Sequence, residues 1–456
     1  MQIKAWVILL LLLPNTLLAA GVTLSAARSD SVKPQSLLDI YHEALARDPT
    51  LASALNANRA AQELIEQSKA LYRPAVNFTA DASTSNTSIR YLDSNNPPGN
   101  SKFENLRAIV EARQPIYRKQ TLVEIEQSKT QVSQADKQYH LSQQNLILRT
   151  TQAYFDLLLA QDRIDLIIAQ KAAILSQLEQ AKATFEVGTA TVTDVNEAQA
   201  RYDLVLAQEI AAINEFEIAK RAIEAITGNV PSKLATVKSD IQVTVLQQSM
   251  QDWQQVARQN NLNVAIQQDA LRLAEQEVER ANAGHLPTLD GVASYAYSYA
   301  NGSPSVFSAG NELNNGTIGL QLEIPLYLGG AISSRAREAV HNKNKALDDV
   351  EFARRQADLE TQRAYFNLSS SIALVKALEQ ALVSSQSQLD STKLGYEVGV
   401  RTSVDVLNVQ QQLFVAKREL LEARYNYLVN IIRLKAAAGL VAEVDIQDIN
   451  QQLIIN

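Results

Sequence analysis

At 456 residues, with 46% hydrophobic and 20% charged residues, the chain has a folded composition and length for two or three domains or one elongated repeat protein. Its net charge of −7 comes without a Lys/Arg block, which argues against a nucleic-acid partner. Cysteine is absent, so disulfides, thiolate metal sites, a cysteine nucleophile and a lipid anchor on cysteine are excluded.

The chain opens MQIKAWVILLLLLPNTLLAAG, with Lys4, an apolar stretch from Ala5 to Leu13, Pro14, then small residues at Ala19, Ala20 and Gly21. That is the build of a secretory signal peptide over residues 1–27, cleaved near 20 or near 27. Nothing later supplies the ~20 uncharged apolar residues of a spanning helix, so an exported chain that enters a membrane must use strands. A helix is expected from Ser36 to Tyr72, restarted midway by the cap and first-turn proline Asp48-Pro49. A hairpin follows over 75–116, where Leu106, Ala108, Val110 and Ala112 share one face and Arg107, Glu111 and Arg113 the other. Tyr117 to Glu186 reads as one helix of ~105 Å. A tip turn over 187–192 leads into a return helix that ends at Gly228, about half as long. The stretch 229–250 is a non-helical connector at mid-height, and a helix from about 252 to 284 is expected to complete the ascent that the return helix begins.

The second half repeats the scheme. A hairpin over 288–326 places Tyr295, Tyr297 and Tyr299 on one face and alternates Ile318, Leu320, Leu322, Ile324 and Leu326 with polar residues and glycine. A long helix from 331 to 397, a tip turn over 398–403, a return helix to Gly439 and a mid-height segment over 440–456 complete the chain. From Tyr154 to Gly228 a shift of 211 positions, the difference between Glu397 and Glu186, brings the first copy (28–228) onto the second (251–439); upstream the register drifts to 213 between Arg73-Pro74 and Leu286-Pro287 and to 210 between Gln114-Pro115 and Ile324-Pro325. The shift lays Tyr154-Phe155 on Tyr365-Phe366, Val187-Gly188 on Val398-Gly399, Asp194 on Asp405 and Gly228 on Gly439.

Apolar residues along the helices step in threes and fours. One series is Leu157, Ala160, Ile164, Ile167, Ile174, Leu178, Ala181 and Phe185, interrupted by Lys171. The other is Val406, Val409, Leu413, Ala416, Leu420, Ala423 and Tyr427. Both are heptad seams, so these helices are coiled-coil partners. The alternating strands fit a half-buried soluble hairpin or an outer-membrane barrel; the signal peptide and the lack of a spanning helix favour the barrel. Two hairpins give four strands, too few to close, and open edges are not tolerated in hydrocarbon. Several chains must then share one barrel.

Each tip reads Val-Gly-x-x-Thr-x-x-Asp. Gly188 and Gly399 stop one helix. The capping boxes 191-TVTD-194 and 402-TSVD-405 start the next. If strands mark the membrane, the tips lie ~100 Å away at the far end of a periplasmic tube. An oligomer would gather Tyr396, Arg401, Asp194 and Asp405 there in rings.

The duplicated unit, Arg73-Pro74 and Leu286-Pro287, 327-YLGG-330, 396-YEVGVRTSVDVL-407 and 422-EARYNYLVN-430 resemble the outer-membrane efflux family over about residues 36–445. The resemblance implies a mainly α protein with a membrane β portion: a trimer whose 12-strand β-barrel continues into a 12-helix α-barrel. It implies an exit duct in the outer membrane, with a long periplasmic part, serving tripartite efflux pumps and type I secretion. The partners would be outer-membrane lipid, a periplasmic adaptor (membrane fusion) protein and an inner-membrane efflux pump or ABC transporter. It carries entrance-gate contacts onto Tyr396 and Arg401, with Thr193 and Asp194 as their partners, and adaptor docking onto Val187, Gly188, Val398 and Gly399. It maps an entrance cation ring onto Asp405 and, where a second aspartate is expected, onto Asn408, which predicts weak block by multivalent cations.

Nothing points to catalysis, a cofactor or a metal. His42, His140, His285 and His341 are scattered without ligand spacing or a nucleophile motif. Gly329-Gly330 lacks the rest of a phosphate loop. The rival is a secreted oligomeric coiled-coil scaffold or adhesin without a channel, separable by membrane fractionation and single-channel conductance.

Overall fold

The computed structural model describes residues 34–90, 92, 98–238, 241, 243–303 and 309–454, so the expected signal peptide lies outside the described residues. The elements run α1 (Leu37–Arg47), α2 (Pro49–Ala70), β1 (Ala75–Ile89), β2 (Gly99–Tyr117), α3 (Lys119–Glu186) and α4 (Val192–Thr227). The connector holds β3 (Thr236–Val237), followed by α5 (Met250–Asn260), α6 (Leu262–Asn282), β4 (Thr288–Gly302) and β5 (Ala309–Glu323). Last come α7 (Ala331–Glu397), α8 (Ser403–Ala437), α9 (Glu443–Asn450) and β6 (Leu453–Ile454), which pairs with β3.

The strands form one antiparallel sheet in the order β1-β2-β4-β5. Its register sorts the two faces. Phe78 lies opposite Val110, Val110 opposite Tyr295, and Ala293 opposite Ile318, so most large apolar residues of the four strands share one face, with Ile109, Val292 and Leu313 on the other. The other face carries Asp81, Arg107 and Ser298 in one row and Glu111, Ser294 and Thr317 in another. The apolar run of β4 from Leu289 to Tyr299 spans ~33 Å along the strand, or ~25 Å of height at a tilt of about 40°, the height expected of an apolar band that meets lipid. One expectation changes here: Ile324 and Leu326 lie beyond β5, which ends at Glu323 before Pro325, a residue with no ladder donor. Among the described residues no helix is long and apolar enough to cross a membrane.

Two continuous helices, α3 with 68 residues and α7 with 67, carry the length. The half-length helices are stacked differently from the expectation. Gly228, at the end of α4, lies against Arg47 at the α1–α2 junction, so α2 stands over α4. Gly439, at the end of α8, lies against Asn260, and Asn261 donates to Ala437 O at 3.0 Å, so α6 stands over α8. The connector therefore crosses to the far side of α3, and the helix after it does not continue the line of α4. That helix also breaks: Asn261 caps α6 by accepting from Asn263 N at 2.9 Å, as Asp48 caps α2 by accepting from Leu51 N at 2.7 Å.

The main core sits at mid-height, where Tyr154 and Phe155 are enclosed by α1, α8, α9 and the connector. Tyr154 OH donates to Ala235 O at 2.8 Å, and the Phe155 ring meets Tyr425 at 5.8 Å. Toward the tips the core thins to single seams. The second seam is buried throughout, from Val406 to Tyr427. The first is buried as far as Ala181 except for half-buried Ile164, but Phe185 is exposed because the last layer pairs Ala181 with Ala198 and nothing faces the next turn.

Lys171, the interruption in that seam, reaches both carboxylate oxygens of Glu209 at 2.6 Å, between the layers of Ile167, Ile174, Val205 and Ala212. At the equivalent positions the second repeat has Leu382 and Leu420. A polar seam layer fixes register at a cost in stability. Glu209→Leu alone, which strands Lys171, should cost about 1–3 kcal/mol, while Lys171→Leu with Glu209→Leu should be neutral or stabilising. Urea unfolding midpoints of the four proteins in the cycle would decide it.

Candidate functional site

At the first tip, Val187 ends α3 and Gly188 turns the chain with φ 75°. Gly188 N donates to Phe185 O and Thr189 N to Thr184 O, both at 2.9 Å, satisfying the last carbonyls of the helix. Thr191 then opens α4: its N–H and hydroxyl donate to Asp194 Oδ2 at 2.9 and 2.7 Å, and Asp194 N donates back to the hydroxyl at 3.3 Å. The second tip repeats this with Val398, Gly399 at φ 80°, Thr402 and Asp405. Thr402 N and its hydroxyl both reach Asp405 Oδ2 at 2.9 Å. Those two donors, with the Arg401 charge nearby, hold the Asp405 carboxyl below the usual carboxylate range. It therefore keeps its negative charge at any neutral pH while capping the helix.

The tips are wet and apolar at their ends. Val187 is 74% exposed and Val398 66%, with Val192 and Val400 beside them. Gly188 and Gly399 have open space around them, so their role here is the backbone turn alone.

Sequence reasoning left the other glycine of 395-GYEVG-399 unexplained. Gly395 O accepts from both Val400 N and Arg401 N, and a Cβ on Gly395 would sit 2.8 Å from Arg401 Cγ. The glycine makes room for Arg401 to fold back along α7. The first repeat has Thr184 and Ala190 at the equivalent positions, and with no long side chain at 190 a Cβ is tolerated. The signal was readable, as glycine where its twin has threonine, paired with arginine where its twin has alanine.

Tyr396 packs beside Leu389, Val406 and Leu413 of its own hairpin, while Arg401 is exposed and its guanidinium makes no hydrogen bond to another described residue. Within one chain the gate candidates Tyr396 and Arg401 are not joined to Thr193 or Asp194 by any hydrogen bond or ion pair among the described residues. α8 lies between α7 and the first hairpin, with Leu407 seated on Leu178, Ala181 and Ala198. Asn408 is exposed one turn beyond Asp405 and accepts from Arg201 Nη2 at 2.8 Å, a partner the sequence reading did not name.

Elsewhere, a cavity of about 700 Å³ at mid-height is lined by Leu157, Asp162, Phe216, Lys220 and Leu234. Burial pushes the Asp162 carboxyl up, against the hydrogen bond it accepts from Tyr425. The described residues hold no group of His, Cys, Asp and Glu able to bind a metal.

The outer membrane efflux protein family model matches residues 40–229 and again 253–440, one match per repeat. The chain is 34% identical to outer membrane protein TolC of Vibrio cholerae over 97% of this chain and 98% of that protein. It is 28% identical to proteases secretion protein PrtF of Dickeya chrysanthemi over 92% of this chain and 91% of that one. In fold it matches the Campylobacter jejuni CmeC outer membrane channel with a TM-score of 0.75 at 16% identity, covering 97% and 98% of the two chains. The duplicated helices, the amphipathic sheet and these matches agree: the chain belongs to the outer membrane efflux protein family, and is an outer-membrane channel with a periplasmic helical part rather than an enzyme.

Proposed function

We propose that three copies of this chain form one exit duct, a twelve-strand barrel in the outer membrane continuous with a twelve-helix periplasmic tube. The observation that carries this reading is an asymmetry between the repeats. Phe155 on α3 is 1% exposed against Tyr425 of α8, whereas its twin Phe366 on α7 is 54% exposed. The repeat offset turns the α3–α8 contact into a contact of α7 with α4 of the next copy. The exposed apolar residues match: Phe366, Leu374 and Val383 on α7, and Ile210, Ile213 and Ile218 on α4. The unpaired edges of β1 and β5 need the same neighbours, since no sheet edge survives in lipid. Eight strands leave an interior that side chains fill, so a passage takes at least three copies of four.

The equivalence that seats Phe366 also brings the end of α7 to the start of α4 in the next copy. Tyr396 and Arg401 of one protomer then meet Thr193 and Asp194 of another, and these contacts hold the entrance shut. Asp405 supplies the cation ring. Val187, Gly188, Val398 and Gly399, at the tube's end, are the docking points for a periplasmic adaptor, which couples the duct to an inner-membrane pump or ABC transporter. The similarity to a protein named for protease secretion supports type I secretion beside efflux.

The test is conductance of the purified full-length oligomer in planar bilayers, with fractionation into the outer membrane. Discrete single-channel steps are expected, and a soluble, non-conducting oligomer would overturn the duct. In the same recordings trivalent cations should block Asn408→Asp more strongly than wild type, though Arg201 beside it will neutralise part of the added charge. Equal block would remove Asn408 from the cation ring.

A further inference from the structure

Arg201 joins the two hairpins of one protomer near their tips. It stands on α4, and its Nη1 donates to Gln411 Oε1 at 2.8 Å while Nη2 donates to Asn408 Oδ1 at 2.8 Å, both on α8. Glu197, one turn earlier on α4, accepts from Nε at 3.0 Å and Nη2 at 2.8 Å and aims the fork. Four of the five guanidinium N–H groups are used, and the side chain is only 19% exposed. Asn408 and Gln411 sit nearly one turn apart on α8, a spacing a planar guanidinium can span.

Beyond this clasp the hairpins separate. A groove of about 480 Å³ opens between them, lined by Gln208, Ala211, Glu215, Gln411, Val415 and Glu419. They rejoin in the main core, where Phe155 meets Tyr425. Leu407 and Tyr425 are ~27 Å apart along α8. So α8 is fastened to the first hairpin at both ends of a span whose middle borders the groove, with Phe414 buried at its wall. The upper fastening is a large core. The lower one is Leu407 with the Arg201 clasp.

We infer that Arg201 is a positioning residue of the entrance: it holds α8, and α7 packed on it, against the first hairpin of the same protomer. Its release lets the second hairpin swing about the main core. This rests on the duct reading for its functional consequence but not for its mechanics. It is separate from the gate contacts between protomers, because every atom of the clasp lies in one chain.

The experiment uses the full-length oligomer and reads two quantities, amide hydrogen exchange over 403–415 and resting conductance. Arg201→Met keeps the bulk of the side chain and removes the fork. Exchange over 403–415 should rise about tenfold or more as that segment opens locally, with exchange at Tyr154 and Phe155 unchanged. Resting conductance should rise with it. Asn408→Ala with Gln411→Ala should reproduce the effect, and adding Arg201→Met to that pair should change nothing further, because the same contacts are already gone. Arg201→Lys should not rescue, since a point charge cannot span two amides. Unchanged exchange in Arg201→Met, or full additivity with the alanine pair, would overturn the clasp. If neither wild type nor Arg201→Met passes current while the variant still loosens 403–415, the clasp stands and the duct falls. If wild type conducts and neither quantity changes in the variant, the duct stands and the clasp falls.

Discussion

Arg401→Ser is expected to leave the protein folded and make its resting pore leak. The side chain is exposed and makes no hydrogen bond to another described residue of its own chain, so the fold loses little. Its partners in the proposed assembly, Thr193 and Asp194 of the next copy, are at the start of α4, where Asp194 is already fixed by its capping box. A charge-assisted contact is worth about 1.5 kcal/mol or more. Three of them lost together shift a concerted closed–open equilibrium by ~4.5 kcal/mol, about three powers of ten. Gly395→Ala gives an independent route to the same end. The added Cβ would meet Arg401 Cγ at 2.8 Å and drive the side chain off α7 without altering any charge. Single-channel recordings should show both variants leaking, and the double variant should be no worse than Arg401→Ser alone. Two variants as tight as wild type would dissociate Arg401 from the gate.

The second large effect is on the sheet. Leu320 shares the apolar face with Tyr295 and Ile318, while Thr317 lies on the polar face opposite Ser294. Leu320 lies opposite Gly291, toward one end of the apolar band, so Leu320→Arg should cost about 1–2 kcal/mol per protomer if that face meets lipid, between the values for the interface and the bilayer centre. Thr317→Arg, three residues away on the same strand, should be tolerated because it enters the water-filled lumen. Heat stability of the oligomer and its yield in the outer membrane report the difference. A soluble scaffold would show nearly equal, small effects, since both positions are then exposed surface. The pair thus decides the orientation of the sheet as well as its medium.

Local signals were legible wherever the chemistry is local. The glycine stops, the Thr-x-x-Asp starts and the seam from Val406 to Tyr427 each depend on residues within a turn or two of one another. The break at Asn261 was missed because asparagine without a following proline is a weak restart signal, although it caps α6 in the position that Asp48 takes at α2. Ile324 and Leu326 continued an alternation that the backbone abandons at Pro325. Phe185 continued a heptad beyond the last facing residue. In both cases periodicity outran the partner that gives it meaning.

The site divides in the same way. Tip turns, caps and the positions of Tyr396, Arg401 and Asp405 follow from sequence spacing. That Asn408 is engaged by Arg201, that Gly395 shelters Arg401, and that Phe366 is bare while Phe155 is enclosed do not. Sequence alone determined two copies of a strand–helix plan, the places where helices stop and start, and a sheet with one apolar face, because these are properties of neighbours along the chain. Only the tertiary structure decided that the connector crosses α3, which sets α2 over α4 and α6 over α8. That crossing puts α8 against the first hairpin and leaves α7 and α4 as the open flanks. Two repeats of one plan thereby acquire different surroundings, which no spacing within either repeat can encode.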